Sequence, residues 1–193
     1  MSRQVVVAGT AGGVGTTTVA ALLFAGLQHE PSGAPVLQDR SSGELGLRLP
    51  EGDEVASLDG NVQLADHGSH ALRCGADGNL WEVMVVVAPA TARGLVDANE
   101  VLDAIEARHG KGRLRRVVVV LAAVFGWHRL GEGMHRLRER VGTRSVILLP
   151  QDLSLAAGGR VPLVRLSTHS ERAQWQLVGV VRDRLRSTAP SGG

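Results

Sequence analysis

The sequence has one lysine, one cysteine and little net charge, and the last two each exclude a class of protein. Lys111 is the only lysine in 193 residues, so arginine supplies nearly all of the basic charge, and the net charge is only +2. Such a small net charge gives no strong overall attraction to nucleic acid or to a membrane surface. The single cysteine, Cys74, excludes an internal disulfide and a zinc site built from several cysteines.

Long apolar runs are also absent. No stretch approaches the roughly 20 apolar residues that a membrane-spanning helix needs, and the apolar run after Gln4 is too short for a signal peptide. We therefore expect a protein of the reducing cytoplasm. The length suggests one domain, which we assign to residues 1–186, and the small polar residues 187–193 predict a disordered tail.

Short β-branched runs alternate with longer helical patterns along the chain. Strands are predicted over Gln4–Ala8, Pro35–Gln38, Asn61–Ala65, Glu82–Ala88, Arg116–Ala122 and Ser145–Leu149. Helices are predicted over Thr16–His29, Leu95–Arg108, Gly133–Val141 and Ser170–Arg186, and loops over Ser41–Leu58 and Gly68–Asn79. Continuous apolar strands separated by helices are typical of an α/β fold, with a mostly parallel sheet and helices on both faces.

A glycine-rich segment joins the first strand to the first helix, and it reads Gly9-Thr10-Ala11-Gly12-Gly13-Val14-Gly15-Thr16-Thr17-Thr18. Glycines let backbone amides turn inward, and these amides with the positive end of the helix form a cradle for a phosphate. A phosphate-binding loop normally ends in Gly-Lys-Ser/Thr, whereas Thr16 stands here at the lysine position. We predict a phosphate site that lacks one charge; the alternative is a tight turn that binds nothing. Its predicted residues are Gly12, Gly13, Val14, Gly15, Thr16, Thr17 and Thr18.

This loop resembles that of the ParA/MinD family of positioning ATPases, which reads Lys-Gly-Gly-x-Gly-Lys-Thr-Thr. Ala11 stands where that family has an extra lysine that reaches across an ATP-bridged dimer, and Thr16 stands where it has the general one. Pro150-Gln151-Asp152 is similar to the family segment that borders the adenine pocket. The resemblance extends from Gln4 to about Leu163. It implies a P-loop NTPase architecture that binds ATP or ADP with magnesium, and the missing lysines imply weak or absent ATPase activity.

Two aspartates at strand ends extend the resemblance. Asp39 matches the aspartate that helps to orient the attacking water in the family, which implies a catalytic role, although such a residue also suits a turn cap. Asp66 resembles the Walker B aspartate, which together with Thr17 would serve magnesium. A different hypothesis is a metal site formed by Asp66, His67 and His70 on a helical turn.

The last predicted helix, Ser170–Arg186, carries Trp175, Val178, Val181 and Leu185 at helical spacing, with arginines elsewhere. A basic amphipathic helix of this kind can lie on a membrane or contact the DNA backbone, as residues of the resembled family do. The alternative is a last helix that packs on the sheet.

The resemblance implies a protein that positions or scaffolds other components, has protein partners and forms a homodimer. In its lack of both loop lysines, the chain resembles the CpaE/TadZ branch of the family, which localises pilus assembly. Two alternatives stay open. One is a nucleotide-independent pseudo-ATPase that acts as a dimeric protein-interaction module. The other is an active P-loop phosphotransferase in which an arginine, with Arg40 as the candidate, replaces the lysine.

Overall fold

The structure is a computed structural model that describes residues 3–28, 35–41, 45–50, 62–77, 81–122 and 131–187. The tail at 188–193 and the predicted element ends at His29, Asn61 and Asn79 lie outside these residues.

Six described strands form one sheet in the order β2-β3-β1-β4-β5-β6, and every pair of neighbours is parallel. The strands are β1 Arg3–Gly9, β2 Val36–Asp39, β3 Val62–Asp66, β4 Val83–Pro89, β5 Val117–Ala122 and β6 Val146–Leu149. The α-helices of the described chain are α1 Thr16–Leu27, α2 Leu45–Arg48, α3 Ala71–Ala76, α4 Ala92–His109, α5 Gly131–Val141, α6 Leu153–Ala156 and α7 Thr168–Arg186. Short 3₁₀ turns lie at Lys111–Arg116, Thr143–Ser145 and Leu163–Arg165.

The two faces of the sheet carry separate apolar cores, which confirms the predicted α/β fold. On β1, Val5 and Val7 face the core built with α1 and α7, whereas Val6 and Ala8 face the core built with α3, α4 and α5. All four side chains are buried, because a parallel strand covered on both sides has no solvated face.

Two segments predicted as loops contain short helices, and that part of the prediction is wrong. Helix α2 lies within Ser41–Leu58 and helix α3 within Gly68–Asn79. Each includes a glycine, which lowers intrinsic helix propensity. Packing compensates for this: Leu45 is buried, and Gly75 lies so close to Ile105 that an added Cβ would be 2.9 Å from Ile105 Cγ1.

Helix α7 packs on the sheet and on α1, as one of the two hypotheses for the last helix expected. Val178, Val181 and Leu185 are buried, and Gly26 of α1 leaves room for Val178. Trp175 was expected on the same side but is 63% exposed, so its assignment to the apolar side was wrong. The helix buries its apolar face in the protein core, and that face is not available to a membrane surface. Among the described helices, none has the length and apolarity to cross a membrane.

Arginine side chains tie the end of α7 to the sheet. Arg184 donates to the backbone carbonyls of Val117 (2.8 Å) and Val141 (3.3 Å) and to the hydroxyl of Ser145. Burial, with a smaller contribution from Arg116, lowers the pKa of Arg184 to about 10, so the guanidinium stays charged at neutral pH. Part of the basic charge predicted for a surface is therefore used inside the fold.

We expect Arg184→Met to lower the free energy of unfolding by about 2–3 kcal/mol, because buried acceptors lose a charged donor. Chemical denaturation measures this, and Arg172→Met, at an exposed site of the same helix, is the control with a change of at most about 0.5 kcal/mol. Equal small effects for the two variants would contradict the role given to Arg184.

Candidate functional site

The glycine-rich loop leaves the carboxyl end of β1 and turns sharply into α1. Gly13 (φ +73°) and Gly15 (φ +88°) adopt left-handed backbone conformations, which glycine accepts without strain. Helix α1 has no side-chain cap, and the amides of Thr16, Thr17 and Thr18 find no acceptor among the described residues. These N–H groups are available to an anion, which the positive end of the helix also attracts.

Two adjoining clefts lie along this loop. The larger, the loop cleft, has a volume of about 820 Å³. Of the predicted residues, it is lined by Gly12, Gly13, Gly15, Thr16, Thr17 and Thr18. The smaller, the side cleft, measures about 330 Å³ and takes in Val14, Pro150 and Asp152. The structure thus brings the predicted loop residues and the Pro150–Asp152 segment to one continuous surface.

The lysine position of the loop holds a short, buried side chain. Thr16 is 6% exposed, and a Cβ added at Gly9 would lie 2.2 Å from its Oγ1, so the hydroxyl packs back against the end of β1. Lys111 cannot replace the missing ammonium, because its 3₁₀ turn precedes β5 and lies at the opposite edge of the parallel sheet. The first position of the phosphate-loop pattern, normally glycine, is Thr10.

Asp39 accepts hydrogen bonds that hold the beginning of α2 in place. Its Oδ1 accepts hydrogen bonds from the amide (2.8 Å) and hydroxyl (2.7 Å) of Ser41, and its Oδ2 accepts from the amide of Leu45 (3.0 Å). Ser41 lines the loop cleft, whereas Asp39 is not among the lining residues. This geometry matches the turn-capping hypothesis for Asp39, and its catalytic role stays a prediction.

Asp66 lies fully buried at the end of β3, in register with Val7 of β1. Its Oδ1 accepts from the amide of Gly68 at 2.9 Å, and its Oδ2 has no partner among the described residues. A buried carboxylate oxygen without a partner is costly, and an oxygen-seeking ion such as Mg²⁺ or a water would satisfy it. Thr17 and Gly68 line the loop cleft, whereas Asp66, which accepts from the amide of Gly68, does not line it. The magnesium role of Thr17 and Asp66 stays a prediction.

The rival metal site is not assembled in the described part of the chain. No group of three histidine, cysteine or acidic side chains there is arranged to hold a metal ion. His67 instead lies with its Nδ1 3.2 Å from Cys74 Sγ. Burial lowers the pKa of His67, and the charge of Arg40 adds to that effect.

Asp152 caps α6 and holds the following segment in place. Its carboxylate accepts from the amide (3.0 Å) and hydroxyl (2.6 Å) of Ser154 and from the amide of Ser167 (2.9 Å). Burial by itself raises the pKa of Asp152, but hydrogen bonds from Ser154, Ser167 and Ser170 outweigh it and hold the pKa well below its usual range. Asp152 thus shapes the wall of the side cleft through its hydrogen bonds.

Sequence reasoning proposed Arg40 as the replacement cation and missed Arg48. Arg40 is exposed, donates to Gln38 Oε1, and lines a small separate pocket beside His67. Arg48, at the end of α2, donates to Thr18 Oγ1 and lines both clefts. Arg160 also lines the loop cleft. No local signal marks Arg48, because its segment has the composition of a loop and its contacts are distant in sequence.

Comparison with known proteins identifies the fold. No protein-family model matches the sequence, and no curated protein matches it. A solved structure, that of a ParA family ATPase from Chlorobium tepidum TLS, is similar with a TM-score of 0.59 and 15% sequence identity. The similarity covers 96% of this chain and 99% of that chain. The fold is ParA-like. The six-stranded parallel sheet has the architecture of a P-loop NTPase, as the resemblance implied.

We expect Asp152→Asn to lower the free energy of unfolding by about 1 kcal/mol near neutral pH, because the donors of Ser154 and Ser167 lose a charged acceptor. The folded-state pKa is depressed, so the charged carboxylate stabilises the fold above the unfolded-state pKa of about 3.9 and loses this effect as the pH falls below it. Denaturation curves at several pH values should show the two proteins converging in acid. Asp183→Asn, at an exposed site of α7, should show no such convergence.

Proposed function

We propose that this chain is a ParA-like positioning or scaffolding protein that binds ATP or ADP with magnesium and hydrolyses ATP weakly or not at all. One observation carries the proposal: the loop keeps its open amides and its cleft, while the lysine position holds the buried Thr16. A loop of this kind retains the part that binds phosphate and lacks a part that stabilises its transfer.

The shape of the two clefts supports a nucleotide as the ligand. The loop cleft presents the free amides at the start of α1, which suit phosphates. The side cleft is walled by Val14, Leu149 and Pro150, which suit the flat apolar face of a base. Thr17 and the unpartnered oxygen of Asp66 would hold magnesium, which neutralises phosphate charge when bound.

Weak hydrolysis follows from what surrounds the phosphate position. Phosphoryl transfer depends on cations and donors aimed at the charge of the moving phosphoryl group. Neither Ala11 nor Thr16 supplies one, and the side chain of Asp39 already accepts hydrogen bonds from Ser41 and Leu45. A bound nucleotide would then serve as a long-lived structural ligand.

Exposed apolar side chains on segments that flank the clefts support protein partners, a second copy of the chain among them. Leu47 of α2, Leu153 of α6 and Val164 are 69%, 80% and 95% exposed. Apolar side chains that are exposed beside a ligand cleft, as Leu47 is, can belong to a protein-contact surface. A cytoplasmic location and a role in localising an assembly, as in the CpaE/TadZ branch, belong to the same proposal.

Calorimetric titration with ATP and ADP in the presence of magnesium tests the binding step, using Gly12→Glu and Gly112→Glu as a matched pair. Neither glycine has a positive φ, and an added Cβ would meet no atom within 4 Å at either. Gly12→Glu places a negative charge in the loop cleft and should weaken binding at least about tenfold. Gly112→Glu, in the 3₁₀ turn before β5, should bind as the wild type does.

Absence of wild-type binding at millimolar nucleotide would contradict the proposal and favour the nucleotide-independent interaction module.

Phosphate release under saturating ATP tests the second half of the proposal. We expect a turnover far below the roughly 1–100 per second of kinases, because the loop lysine is absent and Asp39 is engaged by Ser41 and Leu45. Thr16→Lys should leave the rate low, since Asp39 remains engaged and Thr16 is buried. A kinase-like rate in the wild-type protein would instead support the alternative of an active phosphotransferase.

A further inference from the structure

Arg48 brings a positive charge to the loop from a separate element. Its Nη2 donates to Thr18 Oγ1 at 2.5 Å and to the carbonyl of Leu155 at 3.0 Å, and its Nη1 donates to the carbonyl of Gly159 at 2.8 Å. The guanidinium is half-buried and borders both the loop cleft and the side cleft. It therefore lies where the two clefts meet, beside the first turn of α1.

The position of Arg48 follows from contacts already described. Asp39 accepts from the amide of Leu45 and so fixes the beginning of α2. Leu45 is buried, which anchors this four-residue helix on the core. Arg48 ends the helix, and its hydrogen bonds to α1, α6 and Gly159 hold the guanidinium in one place.

We propose that Arg48 binds the phosphates of the nucleotide and supplies, for binding, part of the charge that the loop lysine supplies in other P-loop proteins, whereas the lysine's contact with the transferring phosphoryl group stays absent. This inference rests on the nucleotide binding proposed above. The guanidinium carries a positive charge, which attracts phosphate oxygens. A cation already held in place loses less conformational freedom on binding than a mobile one does.

Arg160 and Arg40 are the two competing cations, and the structure favours neither. Arg160 lines the loop cleft, but it is exposed and makes no hydrogen bond or ion pair with another described residue. Its charge is not held toward the loop. Arg40 lines neither cleft and donates to Gln38.

Titration with ATP and magnesium, repeated at several salt concentrations, tests the role of Arg48. Arg48→Ala should bind ATP about tenfold or more weakly than the wild type, because a charged hydrogen-bond donor is lost. The ATP affinity of Arg48→Ala should also fall less as the salt concentration rises, because salt has one attractive charge fewer to screen. Arg48→Lys keeps the charge and should recover part of the affinity, and Arg40→Ala is the control that should bind as the wild type does.

The outcomes separate this inference from the proposed function. If the wild type binds ATP, Gly12→Glu does not, and Arg48→Ala binds within twofold of the wild type, the role of Arg48 is refuted while the proposed function stands. If Arg48→Ala and Arg48→Lys lose affinity equally and keep the wild-type salt dependence, Arg48 only ties the segments together, and the inference is again refuted. If the wild type fails to bind ATP at all, both proposals fall.

Discussion

The central place of β1 in the parallel sheet is the constraint on which the rest of the site depends. Its ladders to β3 and β4 set Val7 beside Asp66 and Gly9 beside Val87, so three strand ends meet at one edge. The amide of Gly9 then donates to the carbonyl of Gly68 at 2.6 Å. A chain that leaves a buried strand at this point must turn at once, and glycines make that turn possible without strain.

Because the loop lysine is missing, positive charge at this edge of the sheet has to come from another segment of the chain. In the usual phosphate loop the ammonium comes from the loop itself, so its position is set locally. Among the described residues, Arg48 contacts the first turn of α1, and its position depends on Asp39 through α2. Asp39 holds the backbone amide that begins α2, and its action on water stays a prediction. The carboxylate of Asp39 holds the beginning of α2, and α2 in turn places the guanidinium of Arg48 beside the loop.

Much of the fold could be predicted because its signals are local. Runs such as Val83–Pro89 and Val117–Ala122 are rich in valine and each follows a charged residue, which predicts both the element type and its burial on two faces. The helices α2 and α3 could not be predicted, because glycine weakens their local pattern, and packing and, for α2, side-chain hydrogen bonds stabilise them. Trp175 shows the opposite case: its spacing fits an apolar side, yet the space beneath α7 is taken by Ala173, Leu177 and Val178.

The sequence by itself determined the parallel α/β fold, the turn after β1 and the loss of the loop lysine, since each depends on residue types within a few positions of one another. Only the tertiary structure decided which charged groups face the loop. Arg48 and Thr18 are separated by 30 residues, and their contact exists because α2 is anchored by Leu45 and Asp39. The same holds for the oxygen of Asp66 that has no partner among the described residues, whose burial results from the neighbouring strands β1 and β2. Distances between side chains that are remote in sequence depend on how helices and strands pack. Composition and periodicity, which describe local segments, therefore do not predict these distances.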